Sequence, residues 1–313
     1  MQRILITEGD ETVSEVIIGE GILTDAARHL PERASRQRVA IVAQPTVGGF
    51  VDAVVHSLAD TACEVAVVPI PDGERAKTLA TVESVALELN RLEMSRGDTI
   101  IGIGGGAATD VAGFIAATYL RGVECVVAPT TLLGAVDASI GGKTGVNAGG
   151  KNLLGVFQHP SQVWVDVEAI RSISRELLIQ GTAEALKAGL VGDQALVDLY
   201  QERGLDAPLE EVIERAVAVK ARIVSEDFRE GGVRAYLNYG HTVGHAVEVA
   251  GRTSHGEAVA IGMVAAGLVG ERTVGFERRV EQEELVGDLG LPTRSPAVDP
   301  SEIARLMALD KKR

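Results

Sequence analysis

The first 130 residues alternate short β-branched runs with longer stretches of helical period. The runs are Arg38–Ala43, Glu64–Pro69, Thr99–Ile103 and Glu124–Ala128, each of strand length and apolar enough for burial on both faces. Between them, 78–94 and 107–120 carry apolar residues three and four apart with few breakers, the period of a helix with one face on a core. Such alternation predicts parallel βαβ units. After about Asp166 the runs stop, and Ala/Leu/Val/Glu-rich stretches at 177–190, 209–223, 242–250, 257–273 and 281–289 predict helices. The pattern therefore predicts an α/β domain with a parallel sheet over 1–165 and a mostly α-helical domain over 166–313. No repeat, low-complexity tract or Pro/Gly/Ser linker separates them, and the glycine-dense segment Gly141–Gly155 reads as a loop near the junction.

Length agrees with that division, since 313 residues is more than one core usually supports. Hydrophobic residues make up 46% of the chain and aromatics only 3%, with 36 glycines, which suits Ala/Val/Leu packing and excludes a disordered chain. The formal charge of −14 comes with no basic run, so the counterion-release attraction behind nucleic-acid binding is missing. Nucleic acids and anionic membranes are not expected partners, whereas a small anionic substrate still suits a few converging lysines and arginines. The first residues lack a signal-peptide profile and no apolar stretch approaches ~20 residues, so a cytoplasmic protein is expected. Cys63 and Cys125 are expected to be buried thiols without redox or metal roles.

Chemistry concentrates in a few motifs. Ile100–Asp110 runs from a strand into a helix through three adjacent glycines, Gly104, Gly105 and Gly106, where backbone N–H groups can meet a pyrophosphate. The match to the dinucleotide fingerprint is only Gly102-x-Gly104-x-x-Ala107. Asp110 is expected in the first helical turn, with capping as its plain alternative role. Glu74 and Lys77, three apart before a helix, read either as site residues or as a salt bridge.

His241, His245 and His255, three of six histidines, fall within fifteen residues. The first two stand four apart on a predicted helix, facing one side, and imidazole with carboxylate is a ligand set for zinc and similar divalent ions. Thr242 stands where a zinc protease has glutamate, which excludes that class. Gly141-Gly-Lys-Thr144 looks like the end of a phosphate-binding loop, but Ala138 occupies the place of its required first glycine. Lys143, Lys151 and Asn152 remain as groups able to hold phosphate or carboxylate oxygens. Glu184 and Lys187 lie three apart among apolar neighbours, where an isolated charge is costly; an ion pair is the plain alternative. Arg234 and Asn238 repeat the idea at spacing four.

Taken in order, Gly104–Phe114, Ala117–Gly122, Pro129–Leu133, Gly141–Gly145, Lys151-Asn152, Ala183–Lys187, Leu237–His245, His255-Gly-Glu257 and Asp310-Lys-Lys312 resemble the 3-dehydroquinate synthases, sugar phosphate cyclases of the shikimate route. The resemblance covers nearly the whole chain. It implies a Rossmann-like NAD-binding domain, a helical domain carrying a divalent metal (zinc or cobalt), and a homodimer. It implies Glu184, His241 and His255 as metal ligands, which leaves His245 for the substrate. NAD contacts are implied at Glu74, Lys77, Gly105, Gly106, Asp110, Thr130, Thr131, Lys143 and Lys151. The implied active-site set is Asp137, Lys143, Lys151, Asn152, Lys187, Lys220, Arg234, Asn238, His245 and Lys312, with Arg121 reaching the phosphate across the dimer interface.

The implied substrate is 3-deoxy-D-arabino-heptulosonate 7-phosphate. Its hydroxyl is transiently oxidised by NAD⁺, phosphate is eliminated, the ketone is reduced again, and ring opening precedes an intramolecular aldol closure. Arg234 and Asn238 match carboxylate-binding positions, which favours the dehydroquinate product over inosose or valiolone. The alternatives are another sugar phosphate cyclase, including an amino-dehydroquinate type, an iron-type polyol dehydrogenase with net redox, and a non-catalytic NAD- or metal-binding subunit. Gln44 and Ser174 depart from the acidic residue and the proline usual at those places.

Overall fold

Strands form where β-branched residues can be buried on both sides, and in the computed structural model, which describes residues 1–31 and 38–309, this governs the first half. The chain divides into two compact units, Met1–Ile173 and Ser174–Arg313. In the first, β3 (Arg38–Ala43), β4 (Glu64–Pro69), β5 (Thr99–Gly104) and β6 (Glu124–Pro129) follow the predicted runs. Every residue of β5 is buried, as a central parallel strand covered on both faces requires.

Three strands of the sheet were not predicted. β1 (Gln2–Glu8) and β2 (Glu11–Gly19) form an antiparallel pair, and β9 (Gln162–Asp166) lies between β2 and β6. The complete order is β1-β2-β9-β6-β5-β3-β4, parallel from β2 onward and antiparallel only at the β1 edge. β1 escapes prediction because an edge strand is half exposed and keeps polar residues on both faces. The glycine-dense segment is not all loop either: β7 (Lys143–Val146) and β8 (Leu154–Phe157) pair as an antiparallel hairpin inside it.

Helices α1 (Ala26–His29), α2 (Gly48–Leu58), α3 (Leu79–Arg91), α4 (Gly106–Thr118) and α5 (Val167–Arg171) complete this unit. Its core joins Ile41, Ile101, Ile103, Val126 and the fully buried Trp164 to Val54 and Leu58 of α2. Cys125 is buried, and burial pushes its thiol up to about 12, well out of reactive range. Cys63 is only half buried, contrary to expectation, because it sits beside the sheet edge ahead of β4. Gln44 follows β3 and donates from Nε2 to the carbonyls of Pro71 and Gly73 at 3.1 and 3.3 Å, a bond that a carboxylate at this place would lack a proton to make.

Among the described residues of the second unit there is no strand, and its α-helices are α6 (Arg175–Gly192), α7 (Gln194–Arg203), α8 (Leu209–Glu226), α9 (His241–Gly251), α10 (His255–Val274), α11 (Arg279–Asp288) and α12 (Pro300–Leu309). Ser174 explains its own presence, since its hydroxyl caps α6 by accepting from the Leu177 amide at 3.3 Å. α10 starts with a full capping box between Ser254 and Glu257.

The close fit of α10 rests on two glycines. A Cβ at Gly256 would come within 2.2 Å of the Gln180 carbonyl oxygen of α6, and one at Gly262 within 1.9 Å of the Gly240 carbonyl oxygen before α9. Helix α10 is thereby pressed backbone to backbone against its neighbours, one residue past His255 and one turn before Glu184. None of the described helices is long and apolar enough to cross a membrane.

Candidate metal centre

Glu184 lies on the buried face of α6 with 1% of its surface exposed, where an uncompensated carboxylate would cost several kcal/mol or more. Compensation comes one turn later on the same helix, where Lys187, also buried, forms an ion pair with it. The two histidines that open α9 and α10 face the other oxygen. His241 Nε2 is 3.5 Å and His255 Nε2 3.3 Å from Glu184 Oε1.

Ligand atoms of the three side chains all lie within 4.8 Å of one another. Ligands held at 2.0–2.1 Å in a tetrahedron are separated by about 3.3–3.4 Å, so the spacing suits a zinc-sized ion. The far nitrogens are also held: His255 Nδ1 meets Glu248 Oε2 at 3.0 Å, and His241 Nδ1 faces the Tyr239 carbonyl at 3.3 Å. Burial lowers the pKa of His255, but its contacts to Glu184 and Glu248 outweigh that and bring it up to about 9.

His245 is a turn further along α9, its ring centroid 5.2 Å from His241 and 6.2 Å from His255. It stands beside the group and is not part of it. The plain helical-face pairing of His241 with His245 is thus replaced by a set drawn from three helices.

Lys220 on α8 and Arg234 are both buried. Arg234 and Asn238 lie on a short 3₁₀ turn, Val233–Asn238, entered through a loop that Asp227 organises. The Asp227 carboxylate accepts from the amides of Gly231, Gly232 and Arg234 at 2.9, 2.7 and 3.0 Å, and the Gly231 bond leads the causes that hold its pKa low. Asn238 Nδ2 donates to Glu230 Oε1 at 2.6 Å. Neither Glu230 nor Glu248 was picked out in the sequence, because nothing in spacing alone links either to its partner.

The first unit carries the glycine turn. Gly104 has φ +151°, and a Cβ there would lie 2.6 Å from that of Ala108, so only glycine lets β5 run directly into α4. Gly105 is the N-cap and Gly106 the first residue of that helix, with the Thr130 amide donating to the Gly104 carbonyl at 2.9 Å. Thr131 accepts the Gly134 amide through its hydroxyl at 3.1 Å.

Asp110 is the fifth residue of α4, beyond the first turn, so capping is not its role. It forms an ion pair with Lys77, which therefore spans to α4 from the turn holding Glu74. Burial lifts the Asp110 carboxyl to about 6, and Lys77 offsets only part of that. A narrow cleft beside it is lined by Asp110, Ser139, Lys143 and Thr144 among others.

Asp137 lies in the wide π-type turn Gly134–Ala138. Lys143 opens β7 with its ammonium 5.9 Å from the centre of the Phe157 ring. The exposed Lys151 and Asn152 lie between β7 and β8, where Asn152 has φ +54° and its amide donates to Asn147 Oδ1 at 2.9 Å. Arg121 is exposed in a left-handed run, with φ +50° at Leu120, +66° at Arg121 and +121° at Gly122. Left-handed non-glycine residues cost roughly 1–3 kcal/mol each and gather at functional sites. Lys312 lies outside the described residues.

A parallel α/β sheet with a glycine strand-to-helix turn, and a helical unit with a largely buried Glu-His-His group, make up the architecture of the sugar phosphate cyclases. The structure of 2-deoxy-scyllo-inosose synthase complexed with carbaglucose-6-phosphate, NAD⁺ and Co²⁺ is similar at a TM-score of 0.88 and 27% identity, covering 100% of this chain and 88% of that one. Glycerol dehydrogenase from Schizosaccharomyces pombe shares the fold at a TM-score of 0.74 but only 18% identity, covering 100% of this chain and 85% of that one.

Sequence narrows the class. Models of the 3-dehydroquinate synthase N-terminal and C-terminal domains match residues 67–180 and 181–313. The 3-dehydroquinate synthase of Thermobifida fusca is 42% identical over 97% of this chain and 85% of its own length. The chain belongs to the 3-dehydroquinate synthase family.

Proposed function

We propose that this protein converts 3-deoxy-D-arabino-heptulosonate 7-phosphate to 3-dehydroquinate and phosphate, with no net redox change. The observation that carries the reading is the Glu184, His241 and His255 group at ligand spacing, in a chain whose family membership extends through both units. When bound, NAD would supply a reversible hydride acceptor, and a zinc or cobalt ion held by Glu184, His241 and His255 would supply the charge that acidifies a substrate hydroxyl.

The chain's own residues bind, orient and neutralise. In this reading the first unit is the NAD-binding domain, with Gly105 and Gly106 offering N–H groups to the pyrophosphate, and with Glu74, Lys77, Asp110, Thr130, Thr131, Lys143 and Lys151 around the cofactor. Asp137, Lys143 and Asn152 orient the substrate, the last two holding phosphate oxygens as phosphate departs. The second unit holds the metal. Arg234 and Asn238 take the carboxylate, for which a guanidinium fork is well shaped. Lys187, Lys220 and His245 supply donors to substrate oxygens, and Lys187 also fixes the charge of Glu184.

The protein acts as a homodimer in which Arg121 reaches the phosphate of the partner's site, and Lys312 belongs to the same set. Inorganic phosphate release from the heptulosonate phosphate, measured with and without a chelator, tests the reading. Chelator-sensitive release with no accumulation of NADH is expected. NADH accumulating from glycerol without phosphate release would instead make it a polyol dehydrogenase.

A further inference from the structure

The ligand histidines differ in what holds them. His241 is set by a main-chain carbonyl, that of Tyr239, whose own side chain is tied through its hydroxyl to Gln282 at 2.9 Å. His255 is set by a side chain, Glu248, which lies on a separate helix, α9. Glu248 is only 18% exposed, and it reaches across from α9 to the first residue of α10.

We propose that Glu248 is a positioning residue for the metal. This rests on the reading of Glu184, His241 and His255 as ligands. An imidazole can give a metal a lone pair from Nε2 only when its other nitrogen keeps the proton, and an acceptor at Nδ1 selects that tautomer and strengthens the donor. Glu248 Oε2 sits at 3.0 Å from Nδ1, while Nε2 of the same ring points to Glu184 Oε1 at 3.3 Å. The carboxylate also fixes the ring's rotation, which the opening residue of a helix would otherwise be free to vary. Glu248 therefore contributes to ion affinity without touching the ion, and the sequence Glu248-x₆-His255 joins two helices into one site.

Zinc affinity by competition with a chromophoric chelator tests this. Loss of a carboxylate partner behind a ligand histidine costs about 10- to 100-fold in metal affinity, so Glu248→Ala is expected to bind zinc that much more weakly. Glu248→Gln, which keeps an acceptor oxygen but no charge, should lie between it and the wild type. Val249→Ala, a change at the exposed neighbour on the same helix, should leave zinc affinity unchanged. The visible bands of the cobalt-loaded protein should shift in the Glu248 variants and not in Val249→Ala.

Wild-type affinity and unshifted bands in Glu248→Ala would overturn the assignment while leaving the ligand set intact. A wild-type protein that binds no zinc would overturn the ligand set and this assignment with it. Should Glu248→Ala not fold, the isosteric Glu248→Gln decides alone: weaker zinc binding supports the role, and unchanged binding overturns it.

Discussion

At the scale of residues, the division of labour among three neighbouring histidines is the sharpest claim. His255→Ala should lose metal during dialysis while His245→Ala retains it and loses turnover, read by metal analysis beside phosphate release. Equal metal loss in both would overturn the ligand set. Sequence could mark the cluster as unusual, but spacing favoured the pair His241 and His245, because helical periodicity knows nothing of a glutamate on another helix. Only the family resemblance pointed to Glu184 and His255, and nothing pointed to Glu248 or Glu230, whose partners are met only through folding.

A different histidine has a different consequence. His29 is buried, and neither of its ring nitrogens has a hydrogen-bond partner among the described residues. Burial, followed by the positive charge of Arg3, lowers its pKa below 6.5. Above that value the imidazole is neutral folded or unfolded. Below it the unfolded chain takes up a proton that the folded one refuses, so stability falls as pH drops through this window. His29→Leu should flatten that part of the stability–pH curve in denaturant titrations; an unchanged slope would show that His29 does not contribute.

At the scale of elements, strands β3 to β6 were legible because continuous β-branched runs mark buried parallel strands. The hairpin of β7 and β8 was not, since its glycines carry the composition of a loop. Glycine also decides how α10 meets α6. Gly256→Ala would bring a methyl against the Gln180 carbonyl, and overpacking of this kind costs roughly 1–3 kcal/mol or more. Because Gly256 adjoins His255, the strain should appear twice, as a lower melting temperature and as weaker zinc binding. Thermal melts with unchanged zinc affinity would show that α10 can shift without moving its first residue.

At the scale of the whole molecule, the chain is strongly acidic, with a formal charge of −14, yet the substrate in the proposed reading is an anion. Its capture then depends on lysines and arginines held in place locally, and raising the ionic strength should increase KM more than it changes kcat. An ion bound only by the folded state should also raise the melting temperature by mass action, so a chelator should lower it and added zinc restore it. The ion pair of Lys187 with Glu184 bears on how such a cycle ends. A ligand whose charge is already balanced from within its own helix does not depend on the ion for its place in the core. The metal then resembles a cartridge, expected to come out and go back without the protein having to be taken apart.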